Sequence, residues 1–143
     1  MSEPSQAAAQ LTHVAVRTHD IDASIAFYQK YAGLHLVHER EDDGIRVVWL
    51  SHEKQEPELA IVLLSMPHER VLEPPPCDHL GFAVESREAV DRIADLARED
   101  GVLKLAPLHA GEVAGYLTMV RDPSGNTCEF SHGQALGARA GLA

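Results

Sequence analysis

The chain has 143 residues, of which 45% are apolar and 24% are charged, a balance that fits one folded domain and excludes a disordered or fibrous protein. Its formal net charge is −10 at pH 7 and it has no basic run, so nucleic-acid binding is not expected. No apolar run approaches the ~20 residues of a membrane helix, so no membrane partner is expected. The two cysteines form no CxxC motif, which favours a reducing cytoplasm.

The first half of the chain predicts one strand, one helix and three further strands. Residues 1–10 are polar, without a basic start or an apolar stretch, and predict a disordered arm rather than a secretory signal. Asp20 is a suitable N-cap for a helix that Gly33 can end. The apolar stripe of this helix comprises Ile21, Ile25, Tyr28 and Ala32. Strands are predicted at residues 11–16, 34–38, 45–50 and 59–64.

The second half repeats this order after a proline-rich segment. Residues 67–77 include three consecutive prolines and predict an extended linker. Ser86 and Gly101 bound a second predicted helix, whose apolar stripe comprises Val90, Ile93, Ala94 and Ala97. Strands are predicted at residues 80–84, 102–105, 116–120 and 127–130, with a turn at residues 122–126. The small, glycine-rich residues 133–143 predict a flexible tail.

The two halves have matching starts, because the segment around His13 is repeated around His79. Internal repetition of this kind indicates duplicated structural units. The sequence therefore predicts an α+β fold of two tandem βαβββ modules, residues 11–66 and 78–132.

Alternation of side chains along a strand predicts the face on which each polar residue lies. His13 and His79 fall opposite the apolar side chains that should pack against the helices. Glu129 likewise falls opposite Cys128 and Phe130. Two imidazoles and one carboxylate on such a face are a donor set for a divalent metal, with coordination positions left open.

Four segments resemble the vicinal oxygen chelate (VOC) superfamily. They are the strands beginning His13-Val-Ala-Val and His79-Leu-Gly-Phe, the helix start Asp-Ile-Asp-Ala-Ser-Ile-Ala-Phe-Tyr at residues 20–28, and the ending Asp122-Pro-Ser-Gly-Asn-Thr-Cys-Glu129. This superfamily includes glyoxalase I, bleomycin-resistance proteins, fosfomycin-modifying enzymes, methylmalonyl-CoA epimerase and extradiol dioxygenases. The resemblance covers residues 11–132 and implies curved sheets around a metal-centred cavity, small-molecule substrates, and homodimers that share sites between subunits.

The resemblance also implies a ligand set, with His13, His79 and Glu129 binding one divalent ion (Fe, Zn, Ni, Mn or Co). A fourth ligand of the family comes from the fourth strand, where the repeat places Val62, which cannot bind a metal. Glu58 lies on the same predicted face, but four residues at roughly 3.3 Å each separate it from Val62 by about 13 Å. Whether Glu58 replaces the missing ligand stays open.

Three activities are compatible with this ligand set. The set favours a glyoxalase-like Lewis-acid lyase or isomerase, with Glu129 as both ligand and catalytic base. Three ligands also suit an extradiol-type Fe(II) dioxygenase, although Met119 stands where those enzymes have a tyrosine. A bleomycin-resistance-type ligand-binding protein is the alternative of another class. Residues expected to contact the substrate are Tyr116, His38 and His109.

Overall fold

The computed structural model describes residues 13–66, 79–112 and 114–134 of the chain. The predicted arm (1–10) and linker (67–77) lie outside these residues, as does most of the predicted tail (133–143). None of the helices in the described part is long and apolar enough to cross a membrane.

The first module is a four-stranded sheet with one helix. Its elements are β1 (His13–Thr18), α1 (Ile21–Ala32), β2 (His35–Asp42), β3 (Ile45–Ser51) and β4 (Ala60–Ser65). The strand order is β1-β4-β3-β2, in which β1 and β4 are parallel and the other neighbours are antiparallel.

The second module has the same architecture. Its elements are β5 (Leu80–Ala83), α2 (Arg87–Asp100), β6 (Leu103–His109), β7 (Tyr116–Arg121) and β8 (Thr127–His132). The strand order is β5-β8-β7-β6, again with the first and last strands of the module parallel. The two modules confirm the predicted tandem βαβββ fold.

Both helices begin and end where the sequence predicts. The Asp20 side chain accepts a hydrogen bond from the amide of Ala23, and the Ser86 hydroxyl accepts one from the amide of Ala89. Each such cap stabilises its helix by about 1 kcal/mol. Gly33 and Gly101 end the helices in the left-handed conformation, with φ of 64° and 72°.

Strand β2 is longer than predicted, because a tight hairpin extends it to Asp42. Asp42 pairs with Ile45 across a two-residue turn, in which Asp43 and Gly44 have φ of 52° and 82°. Two positive φ values in succession match the right-handed twist of the flanking strands, and Asp-Gly is a preferred sequence for such a turn. The strand predicted from the sequence ends at residue 38, before this turn.

The buried surface of α1 differs from the predicted stripe. Ile21 and Tyr28 are buried as expected, but Phe27 and Tyr31 are buried as well, whereas Ile25 is only partly buried. This helix contacts the second module in addition to its own sheet, since the hydroxyls of Tyr28 and Tyr31 donate to Asp122 and Asp100. The helix-side residues of both modules form one common core, which includes Val16, Leu63, Ala97, Val120, Cys128 and Phe130.

A buried polar network also joins the two modules. The Tyr28 hydroxyl donates to Asp122 at 2.9 Å, and Asp122 in turn accepts from the amides of Ser124 and Asn126 at 2.9 and 2.8 Å. The Ser124 hydroxyl donates to the hydroxyl of Thr18 at 3.0 Å. The turn predicted at residues 122–126 therefore docks on the first module, and the faces of the two sheets opposite the helices lie on the outside of the common core.

Candidate metal and substrate site

The face of the first sheet that points away from the core lines a cavity of about 490 Å³. We call this surface the first outer face; its residues are His13, Ala15, Arg40, Trp49, Pro57, Ala60, Val62 and Leu64. Val16, Val48 and Leu63 alternate with them along the strands and are buried in the core. The first outer face thus joins an apolar floor to an imidazole and a guanidinium.

Strand register fixes the arrangement of this face. Ala15 pairs with Val62, Val62 with Trp49, and Trp49 with His38, forming one row across the four strands. His13 pairs with Ala60 in a neighbouring row and is exposed at the start of β1. His13 therefore lies at the end of the cavity where β1 begins.

The corresponding face of the second sheet carries Glu129. This residue pairs with Gly81 on one side and Met119 on the other, and we call the three residues the second outer face. Glu129 is 7% exposed, and its Oε2 atom accepts a hydrogen bond from the side-chain nitrogen of Gln134 at 3.2 Å. A Cβ atom at position 81 would lie 3.6 Å from this oxygen, so the carboxylate reaches over β5.

His79 immediately precedes β5 and lines a second, smaller cavity of about 260 Å³ between the two modules. The walls of this cavity are largely apolar and include Val14 and Phe82, with His52 as a further polar residue. Burial lowers the pKa of His52, and the neighbouring His35 lowers it further. The neutral imidazole is therefore favoured there.

The predicted ligands His13, His79 and Glu129 are not gathered into one cluster. In residues 13–66, 79–112 and 114–134 there is no group of three or more histidine, cysteine or acidic side chains that could hold a metal ion. His13 lines the cavity of the first outer face, whereas Glu129 lies on the second. The ligand set therefore stays a prediction.

The register supports the placement of Val62 as the counterpart of Glu129. Val62 pairs with Ala15 on the parallel strand β1, just as Glu129 pairs with Gly81 on β5. Glu58 precedes the first residue of β4 and is exposed, with its amide donating to Glu53 at 3.4 Å. Val62 is therefore the structural counterpart of Glu129 in the first module, with an apolar side chain.

The three predicted substrate contacts lie in different surroundings. The ring of His38 is 4.6 Å from that of Trp49 and so borders the first outer face. The hydroxyl of Tyr116 donates to Asp91 on α2, on the helix side of the second sheet, and this bond raises the pKa of Tyr116. His109 is exposed at the end of β6. His38 is thus the candidate beside the cavity.

Trp49 and Arg40 are cavity residues that the sequence analysis missed. The guanidinium of Arg40 lies 5.7 Å from the centre of the Trp49 ring. Alternation along β3 was the available signal, since Trp49 is in phase with the predicted face of His13 once the order of the strands is known. That order depends on pairing between distant segments.

The fold and the polar outer faces define a protein of two βαβββ modules with potential metal donors on both sheets. The chain belongs to the Glyoxalase/Bleomycin resistance protein/Dioxygenase superfamily, whose family model matches residues 10–130.

The chain is also similar to individual proteins of known sequence or structure. An uncharacterized protein of Pseudomonas aeruginosa, PA2024, is 40% identical over 127 residues, which cover 89% of this chain and 91% of that protein. A possible glyoxalase from Bacillus cereus is 26% identical with a TM-score of 0.66, over 87% of this chain and 99% of that one. The fosfomycin resistance protein FosX from Listeria monocytogenes shares the fold, with a TM-score of 0.69 over 94% of this chain and 99% of that one. Its sequence is 18% identical.

Proposed function

We propose that this protein is a divalent-metal-dependent lyase or isomerase that binds a small substrate through two neighbouring oxygens, as glyoxalases do. The observation that carries the proposal is the environment of Glu129. Its carboxylate is buried, and among the described residues its hydrogen-bond partner is the neutral side chain of Gln134. A buried carboxylate is costly without a compensating charge, and a bound cation would supply one.

The donor set fits a divalent metal chemically. Two imidazole nitrogens and one carboxylate oxygen are ligands that Fe, Zn, Ni, Mn and Co accept. The FosX structure, which shares the fold, contains Mn(II) and a dihydroxypropylphosphonic acid. When bound by His13, His79 and Glu129, the cation would polarise two adjacent substrate oxygens and so acidify the neighbouring carbon.

The side chains around Glu129 suit proton transfer. Glu129 would accept the proton from the acidified carbon and return it at the adjacent position, which completes an isomerisation without any other reactant. The amide of Gln134 holds Oε2 through its hydrogen bond and so orients the carboxylate. The absence of a side chain at Gly81 leaves space over β5 for the Glu129 carboxylate.

We further propose that each site is completed by two copies of the chain. The helix sides of both sheets are buried in one common core, so the two outer faces of one copy point away from it. A homodimer in which the first outer face of one copy meets the second outer face of its partner would bring His13 to Glu129 and to the start of β5, which His79 precedes. This arrangement matches the shared sites that the resemblance implies.

Metal content of purified variants tests the ligand set. Elemental analysis should find near-stoichiometric divalent metal in the wild-type protein, and His79→Ala should lose it. His35→Ala is the matched control, because His35 is also exposed at the start of a strand but lies outside the proposed ligands. Full metal content in His79→Ala would contradict the proposal.

Mixed dimers test whether the site is shared. Differently tagged His13→Ala and Glu129→Gln chains should each lack metal alone, whereas their co-expressed heterodimer should regain one intact site. Sites built within a single copy would show no such rescue. Turnover of a hemithioacetal by the metal-loaded protein would then establish the glyoxalase-like reaction.

A ring-cleaving dioxygenase is the second candidate, favoured by Val62 in the fourth ligand position. Three protein ligands leave the open positions that Fe(II) oxygenases need. The row containing Glu129 has Met119 rather than a tyrosine as its β7 member, so the acid–base group expected for catechol cleavage is not at this position. Bound iron together with catechol-dependent oxygen uptake would favour this candidate over the lyase.

A further inference from the structure

The first outer face carries basic groups although the chain as a whole has a net charge of −10. Arg40 and His13 lie at opposite ends of its cavity, and the described residues that line the cavity include no acidic side chain. Between the two lie Trp49, which is half-buried and is the chain's one tryptophan, and the aliphatic floor. This surface suits an anion attached to an apolar body.

Arg40 is held in place while part of its guanidinium stays available. Its Nε donates to Asp42 at 2.8 Å, and its side chain is 42% exposed. The guanidinium lies 5.7 Å from the centre of the Trp49 ring, on the cavity side of the sheet. Within the described residues, its two terminal nitrogens have no hydrogen-bond partner, and such a pair of N–H groups is suited to bind a carboxylate with two hydrogen bonds.

Trp49 provides the complementary apolar contact. It pairs with Val62 on β4, and the His38 ring packs 4.6 Å from its own ring on the other side. A flat apolar group that enters the cavity would lie on the indole, since stacked aromatic pairs gain energy beyond the burial of their surface. The cavity volume of about 490 Å³ falls within the range that small-molecule sites have.

The strand order sets the length of a suitable ligand. His13 is on β1 and Arg40 is on β2, at opposite edges of the sheet, so three strand spacings, about 14 Å, separate them across the sheet. The register places Arg40 in the row of Arg17, so four residues, about 13 Å, also separate it from His13 along the strands. A molecule that reaches both side chains must therefore be elongated. Its anionic group would lie far from the oxygens that His13 and its fellow ligands would hold through the metal.

We propose that Arg40 and Trp49 form a carboxylate-recognition subsite, and that the substrate is an elongated organic acid with a planar apolar middle. This inference rests on the proposed function only for the end of the substrate that reacts at the metal. The subsite itself does not depend on that function. Arg40 acts here as a specificity-determining residue: it selects charged over neutral ligands and takes no part in the proton transfer.

Trp49 itself reports on the subsite, because its fluorescence is the only indole signal of the chain. Metal-stripped protein should be titrated with phenylbutyrate and with its neutral amide, which has the same shape. The acid should change the Trp49 emission saturably and bind at least tenfold more tightly than the amide. Arg40→Gln should remove this preference and leave binding of the amide unchanged.

Arg98→Gln is the matched control. Arg98 is also an exposed arginine in an ion pair with a nearby aspartate, at 2.8 Å from Asp95, but it lies on α2. This variant should retain the wild-type preference for the acid. Equal binding of acid and amide, no saturable fluorescence change with either, or an unchanged preference in Arg40→Gln would each overturn the subsite.

The outcome is independent of the proposed metal chemistry. Metal content of Arg40→Gln should equal that of the wild type, and circular dichroism should confirm that it is folded. Loss of the carboxylate preference with normal metal content supports the subsite alone. Absence of metal from the wild-type protein, with the preference intact, contradicts the proposed function and leaves the subsite standing.

Discussion

The Tyr28 hydroxyl connects α1 to the turn at residues 122–126, and its removal should weaken the contact between the modules. Tyr28 is fully buried and donates to Asp122 at 2.9 Å, while the thiol of Cys128 lies 3.7 Å from the same oxygen. Tyr28→Phe deletes the hydroxyl but keeps the ring in the core. The substitution therefore tests the polar contact separately from apolar packing.

The expected loss is about 2 kcal/mol of unfolding free energy. A hydrogen bond to a charged group contributes roughly 1.5–3 kcal/mol, and its deletion leaves a buried acceptor with one donor fewer. Asp122 would retain the amides of Ser124 and Asn126 and the Asn126 side chain, which places the loss in the middle of that range. For a chain of this size, the midpoint of thermal unfolding should fall by about 6–8 °C.

Tyr31→Phe is the matched control for this measurement. Its hydroxyl donates to Asp100, which is 35% exposed and keeps an ion pair with Lys30 at 2.8 Å. Because water can replace the lost partner, the expected cost is below about 1 kcal/mol. Urea unfolding of both variants gives the comparison. Equal losses within about 0.5 kcal/mol would refute the argument that burial at the module interface makes the Tyr28 bond strong.

Two further predictions concern pH and backbone space. Burial raises the pKa of Tyr28 strongly, so the folded state keeps a proton that the unfolded chain loses near pH 10. The free energy of unfolding should therefore fall as the pH rises above 10. Urea titrations at alkaline pH should show a smaller fall for Tyr28→Phe than for the wild type. Gly115→Ala should cost about 2–4 kcal/mol, because φ is +77° and a Cβ would lie 2.4 Å from the backbone oxygen of His132. Gly81→Ala, with a Cβ at 3.6 Å from Glu129, should remain within about 1 kcal/mol of the wild type by the same assay.

Local signals were enough to predict the helices and the repeat. Asp20, Gly33, Ser86 and Gly101 act on the few residues next to them, so their effect on helix ends is visible in a short stretch of sequence. The face on which Cys128 lies was equally predictable, since alternation along a strand needs no knowledge of the partner strand.

Burial of α1 could not be predicted from its own periodicity. Phe27 and Tyr31 are outside the predicted stripe, yet both are buried in the common core, where the Tyr31 hydroxyl donates to Asp100 of the second module. A hydrophobic stripe indicates one covered face, and a helix packed between two modules has more than one. The Asp43-Gly44 turn is different, because Asp-Gly is itself a local sequence signal for a two-residue hairpin turn.

The candidate site likewise has features that the sequence predicts and features that depend on the packing of distant segments. Alternation predicted that Glu129 and the two histidines lie opposite the helices, and the register of β1 with β4 agrees with Val62 as the fourth position. Whether the donors meet depends on how the modules pack, which no pattern within either half encodes. Trp49 and Arg40 were missed for the same reason, because they approach each other only through the pairing of β2 with β3.

The packing of the modules explains why the donors are separated. Each module has an apolar, helix-covered side that must be buried, and the chain buries both sides in one core that contains Val16 from the first module and Phe130 from the second. That solution leaves both outer faces outside the core, and among the described residues neither gathers three potential metal donors. If the sites are completed between copies, as we propose, dimerisation and metal binding are thermodynamically linked, so removing the metal should weaken the dimer.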